Sequence, residues 1–335
     1  MKALVTGGGG FLGGAIAKQL IEAGHTVRVL GRNRYPHMEA LGAESVVCDL
    51  SIGEGLEALL DGVGVVFHVA ALAGMWGPRE RYYAANVTAT ERLLEAARAA
   101  GVQRFVYTSS PSVTFHGRDE EGVSETDCSY PEHHDFFYSE TKAIAEQAVL
   151  AANSGELATT ALRPHLIYGP GDPHLIPRLL ARHRAGRLKV LGDGENQVAL
   201  TYVGNAAVAH LQAALVLQPG SANAGKAYFI TDGDPVPVWG WLNRVFSELG
   251  EGEIRGRVPK WLAMPLSGLA EAVWRVLSLE GEPPITRFAV SQISTSHWFD
   301  LSAAERDFGY QPMVTGEEGF QRMIKALKMT QGQLR

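Results

Sequence analysis

The first fourteen residues, MKALVTGGGGFLGG, restrict the fold more than any other stretch of the chain. Residues 3–6 read as a short buried strand, and an apolar, Ala-rich helical pattern starts near Phe11. Between them lie Gly7, Gly8, Gly9 and Gly10, with Gly13 and Gly14 one turn later. A strand that turns into a helix through glycines presents backbone N–H groups and a positive helix end to an anion. Without a Cβ, the turn lets a dinucleotide pyrophosphate approach and lets the helix lie close on the strand. Gly7, Gly10 and Gly13 follow the spacing T-G-x-x-G-x-x-G, in the strand–turn–helix context that a dinucleotide fingerprint needs.

The rest of the chain repeats this alternation. Strands are expected at residues 27–30, 45–47, 63–69, 104–108 and 158–162. Helices are expected at 55–60, 83–99 and 138–152, the first helix stopping at Gly24 and the long one before Gly101. The run at 63–69 is apolar, as in a central strand buried on both faces. Such alternation predicts an α/β fold, a doubly wound parallel sheet of the Rossmann type. Residues 1–165 would form the dinucleotide-binding domain. Residues 166–335 would be mainly a smaller mixed α/β substrate lobe, with strands at 198–203 and 227–231. Its helices are expected at 175–185, 206–217, 239–249, 261–279 and 317–327. A polar stretch at 111–135 is read as a long functional loop.

Bulk properties remove other classes. The formal net charge of −6 argues against nucleic acid as a partner. The two cysteines, Cys48 and Cys128, supply neither a disulfide framework nor a metal-ligand spacing. They suit a reducing compartment, so a cytoplasmic location is expected, without a signal peptide ahead of the first strand. The apolar stretch 261–280 contains Pro265, Glu271 and Arg275, too polar for a membrane span.

Two constellations carry chemistry. The second strand ends VRVLGRNR, with Gly31 where an acid would meet the ribose 2′-hydroxyl and with Arg32 and Arg34 next. A guanidinium attracts a 2′-phosphate that a carboxylate repels, so NADP(H) is favoured over NAD(H). Asp49 is placed for the adenine, and Ala70 and Ala71 let the cofactor lie close. Further on, FVYTSSPSV ends a strand in hydroxyls, and Tyr138 precedes Lys142 by four residues on one helix face. A nearby ammonium lowers a Tyr pKa toward neutrality, and a serine at the strand end can hold a substrate oxygen.

VTGGGGFLG, CDL, VFHVAA, NVTATERLLEAA, FVYTSS, YSETK, LRPHLIYGPGD and LTYVGN together resemble the extended short-chain dehydrogenase/reductase superfamily over nearly the whole chain. The resemblance implies a catalytic Ser110, Tyr138 and Lys142, with Ser112 the rival serine. Tyr138 would give its proton to the substrate oxygen during hydride transfer, and Lys142 would also bond the nicotinamide ribose. It further implies cofactor contacts from Gly7, Gly10, Phe11, Leu12, Gly13, Arg32, Arg34, Asp49, Leu50, Ala70, Ala71, Pro164 and Ile167. Gly204 stands where many relatives carry aspartate. Nucleotide-sugar epimerases of this branch carry an arginine where Val198 stands, followed here by Ala199 and Leu200. The apolar choice, with the stretch from Trp261, resembles the 3β-hydroxysteroid dehydrogenase-like group. AALAGMWGPRERYYAANV, with Met75-Trp76-Gly77, is most similar to bacterial 2-alkyl-3-oxoalkanoate reductases of long-chain olefin biosynthesis. That implies NADPH-dependent reduction of a 2-alkyl-3-oxo acid to the 3-hydroxy acid, and a homodimer built on helices 83–99 and 138–152. The alternatives are a 3β-hydroxysteroid dehydrogenase or sterol C4-decarboxylase, a nucleotide-sugar epimerase or dehydratase, and a non-catalytic NADP-sensing protein.

Three features invite over-reading. Glu132-His133-His134-Asp135 looks like a metal cluster, but adjacent loop residues seldom face one centre, and no metal is expected. Arg178, Arg182, His183, Arg184, Arg187 and Lys189 form a basic run, commonly a solvated helix face, which could steer an anionic substrate. Residues 261–279 are expected to be core more than acyl pocket.

Overall fold

The computed structural model describes residues 1–53, 55–74, 76–173 and 175–333, the side chain of Gln333 excepted. Met75 therefore lies outside the described residues. Seven strands make the main sheet: β1 (Lys2–Thr6), β2 (Thr26–Gly31), β3 (Glu44–Val47), β4 (Val65–His68), β5 (Arg104–Thr108), β6 (Ala158–Pro164) and β7 (Lys226–Ile230). Their spatial order is β7-β6-β5-β4-β1-β2-β3, and every neighbouring pair is parallel. This is the doubly wound α/β fold that the alternation of elements implies.

Alternate residues of the central strands feed two cores. Val5, Phe67 and Val106 belong to one apolar cluster, and Leu4, Val66 and Phe105 to the other. Helices cover both faces, which is why these strands carry few polar side chains. Helix α1 (Phe11–Glu22) buries Leu12, Ile16, Ala17 and Leu20, and it ends at Ala23 before Gly24, whose φ is +77°. Helices α2 (Ala89–Ala99), α3 (Phe137–Ala151), α4 (Val203–Val216) and α5 (Lys260–Val276) follow. The chain leaves β1 toward β2 and β3, then returns to the other side of β1 as β4. This reversal opens a crevice beyond the carboxyl ends of β1 and β4, where doubly wound sheets bind ligands.

The strand expected at 227–231 in the second lobe is β7, the edge of the main sheet, and several other elements also depart from the sequence reading. The helix expected over 83–99 is π-helical at Tyr83–Thr88 before α2 begins. The wide turn carries the buried Asn86, whose Oδ1 accepts from Leu72 N–H at 2.7 Å and whose Nδ2 donates to Thr141 Oγ1 at 3.0 Å. The single strand expected over 198–203 is two. Gln197–Val198 lies in a four-stranded sheet, whereas Thr201–Tyr202 pairs with Ile167–Tyr168, and Val203 already opens α4. The chain crosses between the sheets where Ala199 N–H donates to His297 O and Leu200 O accepts from Asp232 N–H. Within the polar stretch 111–135, Glu120–Val123 is a strand paired with His297–Phe299. Its acidic start hid it: Glu120 is buried, and burial pushes its carboxyl up to about 7.

Candidate active site

The glycine turn leaves no space for side chains. Gly7 has φ +65°, and a Cβ on it would stand 3.1 Å from the Ala70 backbone. A Cβ on Gly13 would stand 2.3 Å from the Gly7 carbonyl oxygen. Gly10 is the N-cap of α1 and, as a glycine, supplies no side-chain cap to the first-turn N–H groups. A cavity of about 350 Å³ adjoins the turn, lined in part by Gly7, Gly31, Arg32, Asp49, Leu50, Ala70 and Ala71. The shape, the bare helix start and the flanking guanidinium fit a dinucleotide.

Other expected contacts stand further off. Gly10, Phe11, Leu12 and Gly13 form the helix start beside this cavity without lining it. Pro164 is buried at the end of β6, with Ile167 just beyond, and neither lines a described cavity. The two arginines diverge. Arg32 is exposed on the cavity wall, and its charge helps hold the Asp49 carboxyl below its usual range, after the stronger hydrogen bonds from Ser51. Arg34 turns away and pairs with Glu39 at 2.8 Å. Sequence reasoning missed Tyr35. Its ring lies within 2.3 Å of where a Cβ on Gly9 would be, and its hydroxyl 2.2 Å from where a Cβ on Gly31 would be. The bare Gly9 and Gly31 were the available signal for it.

The loop after β4 is pinned from below. Thr6 Oγ1 accepts from the N–H groups of Val69 and Ala70 at 3.1 and 3.0 Å and meets His68 Nδ1 at 2.8 Å. His68 Nε2 lies 2.9 Å from Thr90 Oγ1, which donates to Asn86 O. Full burial lowers the His68 pKa to about 3, so the ring is neutral at its two hydroxyl partners.

The catalytic candidates come together at the ends of β5 and α3. Ser110 caps the turn Pro111–Val113, its Oγ accepting from Ser112 N–H at 3.3 Å, with Ser112 Oγ 3.0 Å away. The Ser110 side chain faces Tyr138 and opposes the rise of its pKa, while Ser112 is Ser110's hydrogen-bond partner. Lys142 is 2% exposed, donates to Thr108 O at 2.5 Å and lies 4.0 Å over the Tyr107 ring centroid. Burial lowers its pKa to about 7, opposed by Glu146 one turn on. Glu146 is anchored in turn by Arg163 at 2.6 Å and by the Tyr130 hydroxyl at 2.6 Å.

The expected pull of Lys142 on Tyr138 is absent. Burial raises the Tyr138 pKa, and the opposing influence is the Ser110 side chain. The ammonium is directed at the Thr108 carbonyl and the Tyr107 face instead.

Tyr138 opens into a second cavity of about 490 Å³. Its apolar wall is Trp76, Phe136, Phe137, Trp274 and Leu279, and its polar groups include Glu271, Arg275 and Arg287. Val198, Ala199 and Leu200 do not line it; they are buried in the sheet crossing. The wall comes from the loop after β4, from the start of α3, and from α5 and the residues just after it. The stretch expected to be core instead exposes Trp261, Leu269 and Val276 on its outer side. In the basic run, Arg178 pairs with Glu282 and Arg184 with Glu251. Asp135 lines the second cavity, and among the described residues no group of acidic, His or Cys side chains could hold a metal ion.

A family model described as 3-beta hydroxysteroid dehydrogenase/isomerase matches residues 4–257. The chain belongs to that family. It is an oxidoreductase on an extended short-chain dehydrogenase/reductase fold. It is 46% identical to a 2-alkyl-3-oxoalkanoate reductase of Stenotrophomonas maltophilia over 96% of this chain and 98% of that protein. It is 36% identical to the mouse (Mus musculus) sterol-4-alpha-carboxylate 3-dehydrogenase, decarboxylating, over 97% of this chain and 90% of that protein. Among solved structures, MoeE5 in complex with UDP-glucose and NAD superposes with a TM-score of 0.75 at 28% identity, covering 99% of this chain and 100% of that one.

Proposed function

We propose that the protein reduces a 2-alkyl-3-oxoalkanoic acid to the 3-hydroxy acid with NADPH, in the route to long-chain olefins. The supporting observation is an aromatic cavity of about 490 Å³ that opens on Tyr138, in a chain 46% identical to a reductase of that name. In this reading residues 1–165 carry the cofactor and the catalytic set, residues 166–335 are mainly the substrate lobe with β7 returning to the main sheet, and both parts line the substrate cavity. A bound nicotinamide would supply the hydride to the carbonyl carbon. The glycine turn, Arg32, Asp49, Ala70 and Ala71 would hold the dinucleotide. Ser110 would hold the substrate oxygen, and the Tyr138 hydroxyl would give it a proton. Lys142 would keep the β5 end and the α3 face in register through Thr108.

The test is a homologous series of 2-alkyl-3-hydroxy acids, run in the oxidative direction because 3-oxo acids lose CO₂ spontaneously. Burying one methylene is worth about 0.8 kcal/mol, which is about a three- to fourfold gain in kcat/KM per added CH₂ until the cavity fills. A flat response together with strong activity on a 3β-hydroxysteroid overturns the reading. The sterol-named relative motivates that second reading.

The cofactor form has its own test. Arg32 lines the cavity whereas Arg34 is paired with Glu39. Arg32→Ala is expected to lower the NADPH-to-NADH ratio of kcat/KM by about tenfold, the loss of one charged hydrogen-bond partner, and Arg34→Ala by much less. A wild type that prefers NADH, or a ratio unmoved by Arg32→Ala, removes the phosphate contact.

A further inference from the structure

The cavity in front of Tyr138 contains two guanidinium groups, and their surroundings differ. Arg287 is already neutralised. Its Nε donates to one Glu271 oxygen at 2.9 Å, and its backbone N–H donates to the other at 2.7 Å. Glu271 is itself buried, so this pair is part of the wall. The nearby Glu282 is taken by Arg178. Arg275, one turn beyond Glu271 on α5, makes no ion pair with a carboxylate among the described residues. Its guanidinium lies 5.6 Å from the Trp76 ring centroid. Trp76 and Arg275 therefore meet at the cavity wall, one from the loop after β4 and one from α5.

A guanidinium on an indole face keeps its planar N–H edge available for a two-pronged bond to a carboxylate. The proposed substrate needs such a partner. A 2-alkyl-3-oxo acid is ionised at neutral pH, and an ionised carboxylate in an aromatic cavity is costly without a cation. The names of the two relatives share this chemistry. In a 2-alkyl-3-oxoalkanoate and in a sterol-4-carboxylate acted on at carbon 3, the carboxylate sits on the carbon next to the reacting one.

We infer that Arg275, braced on Trp76, is the carboxylate-reading residue of this cavity. The inference rests on the acid substrate class proposed above. The substrate's carboxylate bonds the Arg275 guanidinium, its 3-oxygen lies at Tyr138 and Ser110, and its alkyl arms lie along Phe136, Phe137 and Trp274. The three-point arrangement selects β-oxo and β-hydroxy acids over neutral ketones and neutral 3-hydroxysteroids.

The test separates the carboxylate site from the reaction. Calorimetric titration of the full chain compares 2-butyloctanoic acid, which has no 3-oxygen to react, with its methyl ester. Wild type is expected to favour the acid by about 10- to 100-fold, the range for a charged hydrogen-bonded contact. In Arg275→Ala the acid-to-ester ratio is expected to fall to about one. Arg275→Lys is expected to retain an intermediate ratio, since it keeps the charge and loses the planar fork. Turnover supplies a second readout: with 2-alkyl-3-hydroxy acids, Arg275→Ala is expected to raise KM far more than it lowers kcat. Equal affinity of wild type for acid and ester, or a ratio that survives Arg275→Ala, overturns the inference. An acid preference that collapses in Arg275→Ala without any turnover of 2-alkyl-3-oxo acids leaves the carboxylate site standing and refutes the substrate class. Turnover that is indifferent to Arg275 does the opposite.

Discussion

Tyr138→Phe is expected to bind NADPH within about twofold of wild type and to turn over about 10²–10⁴ times more slowly, the usual range for losing a general acid. Only the phenolic oxygen is removed, from a residue that lines the substrate cavity beside Ser110. The ring stays to fill its place, so a collapse of the site is not the cause. The raised pKa of Tyr138 bears directly on the direction of the reaction. Burial disfavours the phenolate, so the hydroxyl keeps its proton at neutral pH and stands ready to give it to a carbonyl oxygen. In the oxidative direction the same group must lose its proton first, so the oxidative rate is expected to rise toward alkaline pH. The measurement is steady-state kcat in both directions, with cofactor affinity titrated separately by fluorescence. Near-wild-type turnover in Tyr138→Phe would remove this residue from the chemistry. A loss confined to cofactor affinity would recast it as a binding contact.

The parts of this molecule visible in the sequence are those where one residue type has one physical reason. Short apolar runs without alternation locate β1 and β4, an Ala-rich helical pattern locates α1, and the glycines between β1 and α1 mark the turn. Tyr138 and Lys142 are visible because four residues of helix place them on one face, whatever surrounds them. What surrounds them was not visible. The direction of the Tyr138 shift depends on where the Lys142 ammonium points, and that is set by the Thr108 carbonyl and the Tyr107 ring across the sheet. Local pattern also cannot say which sheet a short segment joins, so the 198–203 stretch reads as one strand although its halves belong to two. The substrate wall is the clearest case. Trp76, Phe136 and Trp274 come from three distant segments and meet only after the second lobe folds back. Arg32 and Arg34 look equivalent in sequence; Glu39, five residues beyond Arg34, takes one of them out of the cavity.

Gly13→Ala, a single added methyl, is expected to lower dinucleotide affinity by about 100-fold or more, the consequence of a roughly 1 Å misplacement of a positioned group. The added Cβ would lie 2.3 Å from the Gly7 carbonyl oxygen, 2.8 Å from its carbon and 3.1 Å from Gly8 Cα. All three neighbours are backbone, so no rotamer change can relieve the contact. Either α1 backs away from the turn or the turn itself moves. Both change the distance between the uncapped first-turn N–H groups and the place where a pyrophosphate must lie. Overpacking of this kind costs about 1–3 kcal/mol of stability in addition. Gly14→Ala, one residue on, separates the two effects. Its Cβ would stand 3.5 Å from the Gly8 carbonyl oxygen, an ordinary contact, and alanine is the better helix former by about 1 kcal/mol. Gly14→Ala is therefore expected to bind NADPH within about threefold of wild type and to melt no lower, since it adds helix propensity without a clash. Affinities are read by fluorescence titration well below the melting transition, which is recorded for each variant. If Gly13→Ala binds NADPH like wild type, the close approach of α1 to the Gly7 carbonyl does not position the anion site. If both variants lose affinity alike, the whole helix start tolerates no added side chain, and the special role of Gly13 is lost.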